Sequence, residues 1–376
     1  MTSAKQWWRR ATATAKDKWS ICVTRTLGGR HLHRRSAEVE AAVIRATSHD
    51  DRSVDYKSAG RVFAWARAAP SSLLVPLMWS VSRRASRTRS WPVALKCLLL
   101  AHGLLLCSDE APPSARVGRI PFDLSDFRDR SSAAPGFSAF VRAYFRFLDR
   151  RSIYSALRGS CSPEAGENID ADLDRLERLQ VLLELMMQIR PYADGMEVGL
   201  ILEAMDCVVI EIFEVYSTIC HGIAHFLVSA AGPDPARPDA ASETTRRRRI
   251  IGLGILRRAA VQSAQLSAYF DLCRALGVVN AAELPPVEGI PEKDMEDLEA
   301  MMLGKFPESC REEEQEQEQE TKKTTMIEGH TGTLITSEWV CFEDENDFGN
   351  AQWALAMQPM IATGPQYPIG DLIDLS

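Results

Sequence analysis

The stretch GLILEAMDCVVIEIFEVYSTI, residues 199–219, decides the fold class. Leu200, Ile201, Met205, Val208, Val209, Ile212, Val215 and Ile219 recur at steps of one, three and four, so they line one face of a 3.6-residue helix. Glu197, Glu203, Asp206, Glu211 and Glu214 fall largely on the other face, which predicts a solvated side. The pattern runs over 194–230. Working outward, helical periodicity also covers 54–69, 72–84, 90–106, 136–158, 168–190 and 243–276. Pro70, the pair Pro112-Pro113, the link Pro121 to Phe127, the Pro/Ala loop at 232–240 and the pair Pro285-Pro286 separate these stretches. Ser36 is placed to cap a helix through Val39, Val43 and Ile44. Alternating β-branched runs are few. Successive helices joined by short loops predict an all-α fold, a solenoid or bundle, with no fixed-period repeat.

Charge divides the chain. The net charge is −7. From Glu308 to the end there are 15 acidic and 3 basic residues, so the remainder is basic. Residues 1–35 hold 9 basic residues against the single acid Asp17. A basic head of this kind points to an anionic partner, either a membrane leaflet or nucleic acid, with a merely solvated surface as the bland alternative. Past residue 307 the character changes. Glu312–Glu320 is Glu/Gln low complexity and offers no apolar surface to bury. A disordered acidic tail is expected there.

The nine cysteines form no CxxC pairs, so they read as small core residues in a reducing compartment. No signal peptide is visible, and the apolar run Cys97 to Cys107 is short for a membrane span. The expected protein is cytoplasmic and peripheral on membranes. His221 and His225 sit four apart beside Cys220, but no third ligand stands out, so no metal site is expected. Arg246–Arg249 reads as a helix start near Thr244 and Thr245 rather than a nucleic-acid patch. No Gly-rich phosphate loop and no catalytic set is present. Neither an enzyme nor a cofactor is expected, and nucleic acid is not an expected partner.

Four segments in register carry a family resemblance. Ile44-Arg-Ala-Thr-Ser-His-Asp-Asp51 resembles the lipid-site motif of ANTH-domain clathrin assembly proteins. Ser90-Trp-Pro-Val-Ala-Leu-Lys96 with His102, Phe122-Asp-Leu-Ser-Asp-Phe127 and Phe140 to Leu148 resemble the segments that follow it in that family. Tyr269 to Leu284 resembles the closing helix. The pattern Ser48-His49-Asp50-Asp51 with Val54-Asp55-Tyr56 is most similar to plant members. The resemblance implies an ANTH-type α-helical solenoid of about ten helices over residues 1–290, with an ENTH-like part at about 30–160, and a tail at 291–376. It also implies a clathrin assembly adaptor of endocytosis and vesicle budding, at coated pits, coated vesicles or the Golgi apparatus.

The same resemblance implies binding to phosphatidylinositol 4,5-bisphosphate in the membrane. Its candidate residues are Arg45, His49, Arg52 and Lys57. The motif departs from the family at Asp55 and Ser58, where a lysine and a ring donor are expected. Trp7, Trp8 and Trp19 are candidates for a helix lying in the membrane interface, or for packing of the first helix. In the tail, Leu372-Ile373-Asp374-Leu375 resembles a clathrin box, for the clathrin heavy chain. Trp339 and Phe342, followed by acids, resemble a peptide for the clathrin adaptor appendage. The alternative is a helical scaffold that holds R-SNARE cargo against the apolar faces near 205–219 and 262–276.

Overall fold

The computed structural model describes residues 16–18, 21, 31–130, 135–158, 169–231, 243–282, 287, 289 and 292–302. Among them are nine α-helices and two single-turn 3-10 segments, and no strand. The helices are α1 His31–Ala46, α2 Tyr56–Ala68, α3 Pro70–Arg87, α4 Trp91–Asp109, α5 Pro135–Arg158, α6 Ile169–Met187, α7 Gly199–Ala231, α8 Glu243–Leu276 and α9 Glu292–Met302. Each packs on its neighbours in sequence order: α1 on α2 and α3, α3 on α4, α4 on α5, α5 on α6, α6 on α7 and α8, and α8 on α9. This chain of neighbour contacts is the solenoid that the periodicity predicts.

Helix α4 is the hub of the N-terminal half. Val93, Ala94, Leu95, Cys97, Leu98, Ala101, Leu104 and Leu105 are all solvent-inaccessible. A helix apolar on every side is stable only when surrounded. Here α2, α3 and α5 enclose it, and α7 touches it. Its 19 residues are long and apolar enough to cross a membrane, yet 94% of that window is buried against other helices. Its start is held from outside: the Trp91 N–H donates to Asp129 Oδ1 at 3.0 Å. That satisfies one of the donors a helix leaves open at its first turn.

Helix α8 ends at Gly277, whose φ of +79° is open only to a residue without Cβ strain. The Val278 N–H then donates to the Cys273 carbonyl at 3.0 Å, closing the helix end.

Three sequence expectations change on the structure. Helix α1 begins at His31, so Ser36 lies inside it rather than at its start. Glu292–Met302, assigned to the tail by the boundary at 290, is a helix. Met302 is buried, and the Arg257 Nε donates to Glu299 at 2.5 Å across to α8. The packed helices therefore run at least to residue 302. Glu211, expected on the solvated face of α7, is only 7% exposed. It bonds His102 of α4 and Arg151 of α5. Arg151 Nη2 also donates to Asp109 at 3.0 Å, and the Tyr144 hydroxyl lies 2.9 Å from His102 Nδ1. Burial pushes the Glu211 carboxyl up, but the charges of Arg151 and His102 outweigh it and hold the group at about 2.

Candidate functional site

The motif residues converge on the connection between α1 and α2, residues 47–55. Four ties hold it. At its start, Thr47 is fully buried and its Oγ1 donates to the Val43 carbonyl at 2.7 Å. Arg84 of α3 reaches across, donating from Nη2 to the Thr47 carbonyl at 3.0 Å and from Nε to Thr47 Oγ1 at 3.3 Å. A guanidinium here also meets the negative end of α1. In the middle, the Lys96 ammonium, 2% exposed, donates to Ser48 Oγ at 3.1 Å. Near the end, the Val54 N–H donates to Glu203 Oε2 of α7 at 2.9 Å.

Lys96 sits in an unusual setting. Burial depresses its pKa, opposed by the nearby charges of Asp50, Glu203, Asp17 and Asp55. A buried ammonium needs such acceptors and counter-charges, because desolvation alone would drive it neutral. The connection is thus built over a cation, whose charge the nearby acids favour.

His49 is held by the N-terminal segment. Its backbone N–H donates to Asp17 Oδ2 at 3.0 Å, and its Nδ1 lies 2.8 Å from Asp17 Oδ1. Arg84 Nη2 donates to the same oxygen at 2.7 Å. Burial raises the Asp17 carboxyl, but the bonds and charges from His49 and Arg84 leave it below the usual carboxylate range.

The four candidate lipid residues therefore differ. Arg45 lies half-buried in the last turn of α1, and His49 is turned into the Asp17 contact. Arg52 and Lys57 are exposed. Asp55 and Ser58 form a local pair. Asp55 Oδ1 accepts the Ser58 N–H at 3.1 Å and Asp55 Oδ2 accepts the Ser58 hydroxyl at 2.7 Å. That is an N-cap for α2. The two residues that break the motif's charge pattern are spent on starting a helix.

Asp17, Arg84 and Glu203 were not among the candidates, and Lys96 entered only as a motif residue. Two of them carry a sequence signal. Asp17 is the single acid among the first 35 residues, and Lys96 is the one cation in WPVALKCLLLAHGLLLC, residues 91–107. Trp7, Trp8, Trp19, Trp339, Phe342 and Leu372, Ile373, Asp374 and Leu375 lie outside the described residues. His221 lies on the exposed side of α7, its Nδ1 donating to the Ser217 carbonyl at 2.8 Å. Arg248 pairs in a fork with Asp170, at 2.8 and 3.0 Å. The faces suggested for cargo are not open. Met205, Val208, Val209, Ile212 and Ile219, and Leu266, Tyr269, Phe270 and Cys273, are buried in the helical core.

The comparisons agree with this architecture. The family model described as the ANTH domain matches residues 38–303. Two Arabidopsis thaliana relatives whose names describe clathrin assembly proteins, At1g25240 and At1g68110, are 41% identical over 348 residues and 39% identical over 354 residues. The alignments cover 90% of this chain in both cases, and 87% and 88% of the relatives. The clathrin coat assembly protein AP180 of the same plant is 26% identical over 342 residues, covering 80% of this chain and 50% of that protein.

Proposed function

The chain belongs to the ANTH-domain family of clathrin assembly proteins, and from that premise we propose that it is a clathrin adaptor of vesicle budding with no catalytic step. On this reading the helical domain docks on a phosphoinositide-containing leaflet and the tail recruits the coat. The observation that carries the membrane half is the connection between α1 and α2. It is tied at Thr47, Ser48, His49 and Val54, and it presents Arg52 to solvent, with the exposed Lys57 following in the first turn of α2. Exposed cations carried on a tied backbone suit headgroup phosphates, with the exposed Asp50 and Asp51 opposing them.

Headgroup selectivity on this reading is modest. Asp55 and Ser58 are committed to the α2 cap, and the exposed Asp50 and Asp51 offset the exposed Arg52 and Lys57. Each basic residue near an anionic leaflet contributes about 1 kcal/mol. The N-terminal segment, with Lys16 and Lys18 exposed, adds to the same total. Liposome co-sedimentation tests this. Arg52→Gln with Lys57→Gln is expected to weaken binding to vesicles containing phosphatidylinositol 4,5-bisphosphate by about thirtyfold, from two such contributions. Binding unchanged by the double substitution removes this rim from the membrane interface.

For the tail, the clathrin box Leu372–Leu375 and the Trp339/Phe342 peptide are the proposed contacts with the clathrin heavy chain and the adaptor appendage. Alternate apolar side chains of an extended peptide suit pockets along a groove. Deleting Leu372–Ser376 is expected to abolish clathrin pull-down by the full chain, and an undiminished pull-down overturns the assignment.

A further inference from the structure

We propose that the cradle filled by Asp17 is a second anion site, built for a phosphate group and blocked by the protein's own carboxylate. It deepens the membrane reading above and rests on it for the source of the phosphate, an inositol phosphate headgroup.

The cradle is a converging donor set. The His49 backbone N–H, the His49 ring and the Arg84 guanidinium all meet one carboxylate, at 3.0, 2.8 and 2.7 Å. Two of the three, the Arg84 guanidinium and the His49 backbone N–H, are also positioned by contacts other than Asp17, while the His49 ring is oriented by Asp17 itself. Arg84 is fixed on the Thr47 carbonyl and hydroxyl, and Thr47 is fixed on α1. The His49 N–H belongs to a connection already tied at Ser48 and Val54. Removing the carboxylate therefore leaves the Arg84 guanidinium and the His49 N–H in place as anion donors, with the His49 ring free to join them. Lys96 adds positive potential from below, since Asp17 is among the charges acting on it. Asp50 is the opposing acid next to His49, and its Oδ1 accepts the Arg52 N–H at 3.2 Å.

A phosphate is the stronger occupant of such a set. A phosphomonoester carries roughly −1.5 to −2 charge and three acceptor oxygens, against one charge and two oxygens for a carboxylate. A guanidinium N–H and a backbone N–H, the donors that Arg84 and His49 present here, both bond phosphate oxygens well. Asp17, in turn, is a replaceable occupant. It is the single acid in a segment with nine basic residues, flanked by the exposed Lys16 and Lys18. The clasp also lies at the surface, its side chains being 19% exposed at His49, 14% at Asp17 and 16% at Arg84. Displacing one carboxylate leaves the exposed Lys16 and Lys18 without the acid between them. Phosphate binding and clasp closure exclude each other, so each weakens the other by the same factor.

The test uses the full chain and soluble inositol 1,4,5-trisphosphate, followed by calorimetry. Asp17→Asn removes the competitor's charge. If the clasp is closed in about nine of ten molecules, the substitution tightens binding about tenfold. Adding Arg84→Gln in the same background is expected to erase that gain. Glu38→Gln, on an exposed residue of α1, makes the same change of net charge outside the cradle and is expected to give no gain. Hydrogen exchange on the unmodified protein needs no variant: the headgroup is expected to lower protection at Lys16–Lys18. Affinity unchanged by Asp17→Asn, a gain that survives Arg84→Gln, or unaltered exchange at Lys16–Lys18 would each overturn the proposal. Vesicles with and without phosphatidylinositol 4,5-bisphosphate separate the two readings. A gain in soluble binding with no vesicle binding keeps the cradle and removes the membrane as its source.

Discussion

Glu211→Gln is the sharpest probe of how the two halves of the solenoid are joined. Glu211 sits on α7 between His102 of α4 and Arg151 of α5, with both its side chain and that of Arg151 under one-tenth exposed. Removing the carboxylate charge leaves Arg151 paired only with Asp109, whose side chain is 36% exposed. Arg151 Nη1 is already buried without a hydrogen-bond partner, so losing the Glu211 charge leaves still more of the guanidinium uncompensated. Breaking one partner out of a buried ion pair costs about 3–5 kcal/mol. At roughly 2–4 °C per kcal/mol for a domain of this size, the melting temperature is expected to fall by roughly 6–20 °C. Thermal melts followed by circular dichroism at pH 7 measure this directly. The pH arm checks the sign. The folded carboxyl is held at about 2, below its ordinary 4.5. The stabilisation is then complete above pH 4.5 and disappears as pH falls from there toward 2. The gap between the unmodified protein and Glu211→Gln should close over that window. A Glu211→Gln protein within about 1 kcal/mol of the parent at pH 7 would refute the reasoning, since that is the scale of an exposed pair.

Two glycines of α8 should respond in opposite directions. A Cβ on Gly252 would meet the Phe226 ring at 2.1 Å, so Gly252→Ala is expected to cost about 1–3 kcal/mol in urea unfolding. A Cβ on Gly254 meets nothing within 4 Å, so Gly254→Ala should gain about 1 kcal/mol from helix propensity. Asp55→Lys restores the basic residue that the family motif places there but removes the α2 cap. It should cost about 1 kcal/mol of stability while tightening binding to anionic vesicles, and a loss of both would show that the cap supports the rim.

The helices were legible because their apolar stripes are long. The periodic stretch 243–276 coincides with α8, and the apolar face of 199–219 packs as its spacing predicts. Boundaries set by a single residue type were less secure. Ser36 has the chemistry of a cap, but serine inside a helix costs only about half a kcal/mol, and α1 runs through it. Helix α9 was hidden by its acids. Met295, Leu298 and Met302 recur at helical spacing in EKDMEDLEAMM, yet the run stands next to Glu/Gln low complexity. Glu211 was misplaced for a different reason. Periodicity reports one face of a helix, and α7 is packed on more than one. The site was half legible. The motif located the connection at 47–55, but the residues that tie it come from 17, 84, 96 and 203, and no local pattern pairs positions so far apart.

What sequence does expose is a residue whose charge disagrees with its surroundings. Asp17 stands alone in a basic segment, and Lys96 and His102 interrupt an apolar helix. Each disagreement carries a desolvation or repulsion cost that a folded protein must offset with a specific partner. The partners are His49 and Arg84 for Asp17, Ser48 for Lys96, and Tyr144 with Glu211 for His102. All three contacts join segments distant in sequence, and all three lie on or beside α4. The same helix that forms the apolar hub thus carries two polar anchors, one under the candidate membrane rim and one at the junction with α7. Because the Lys96 anchor stands on a rigid buried helix, Ser48 at the start of the connection is held by the core. This is why substitutions at Lys96 should disturb anion binding without touching the anion.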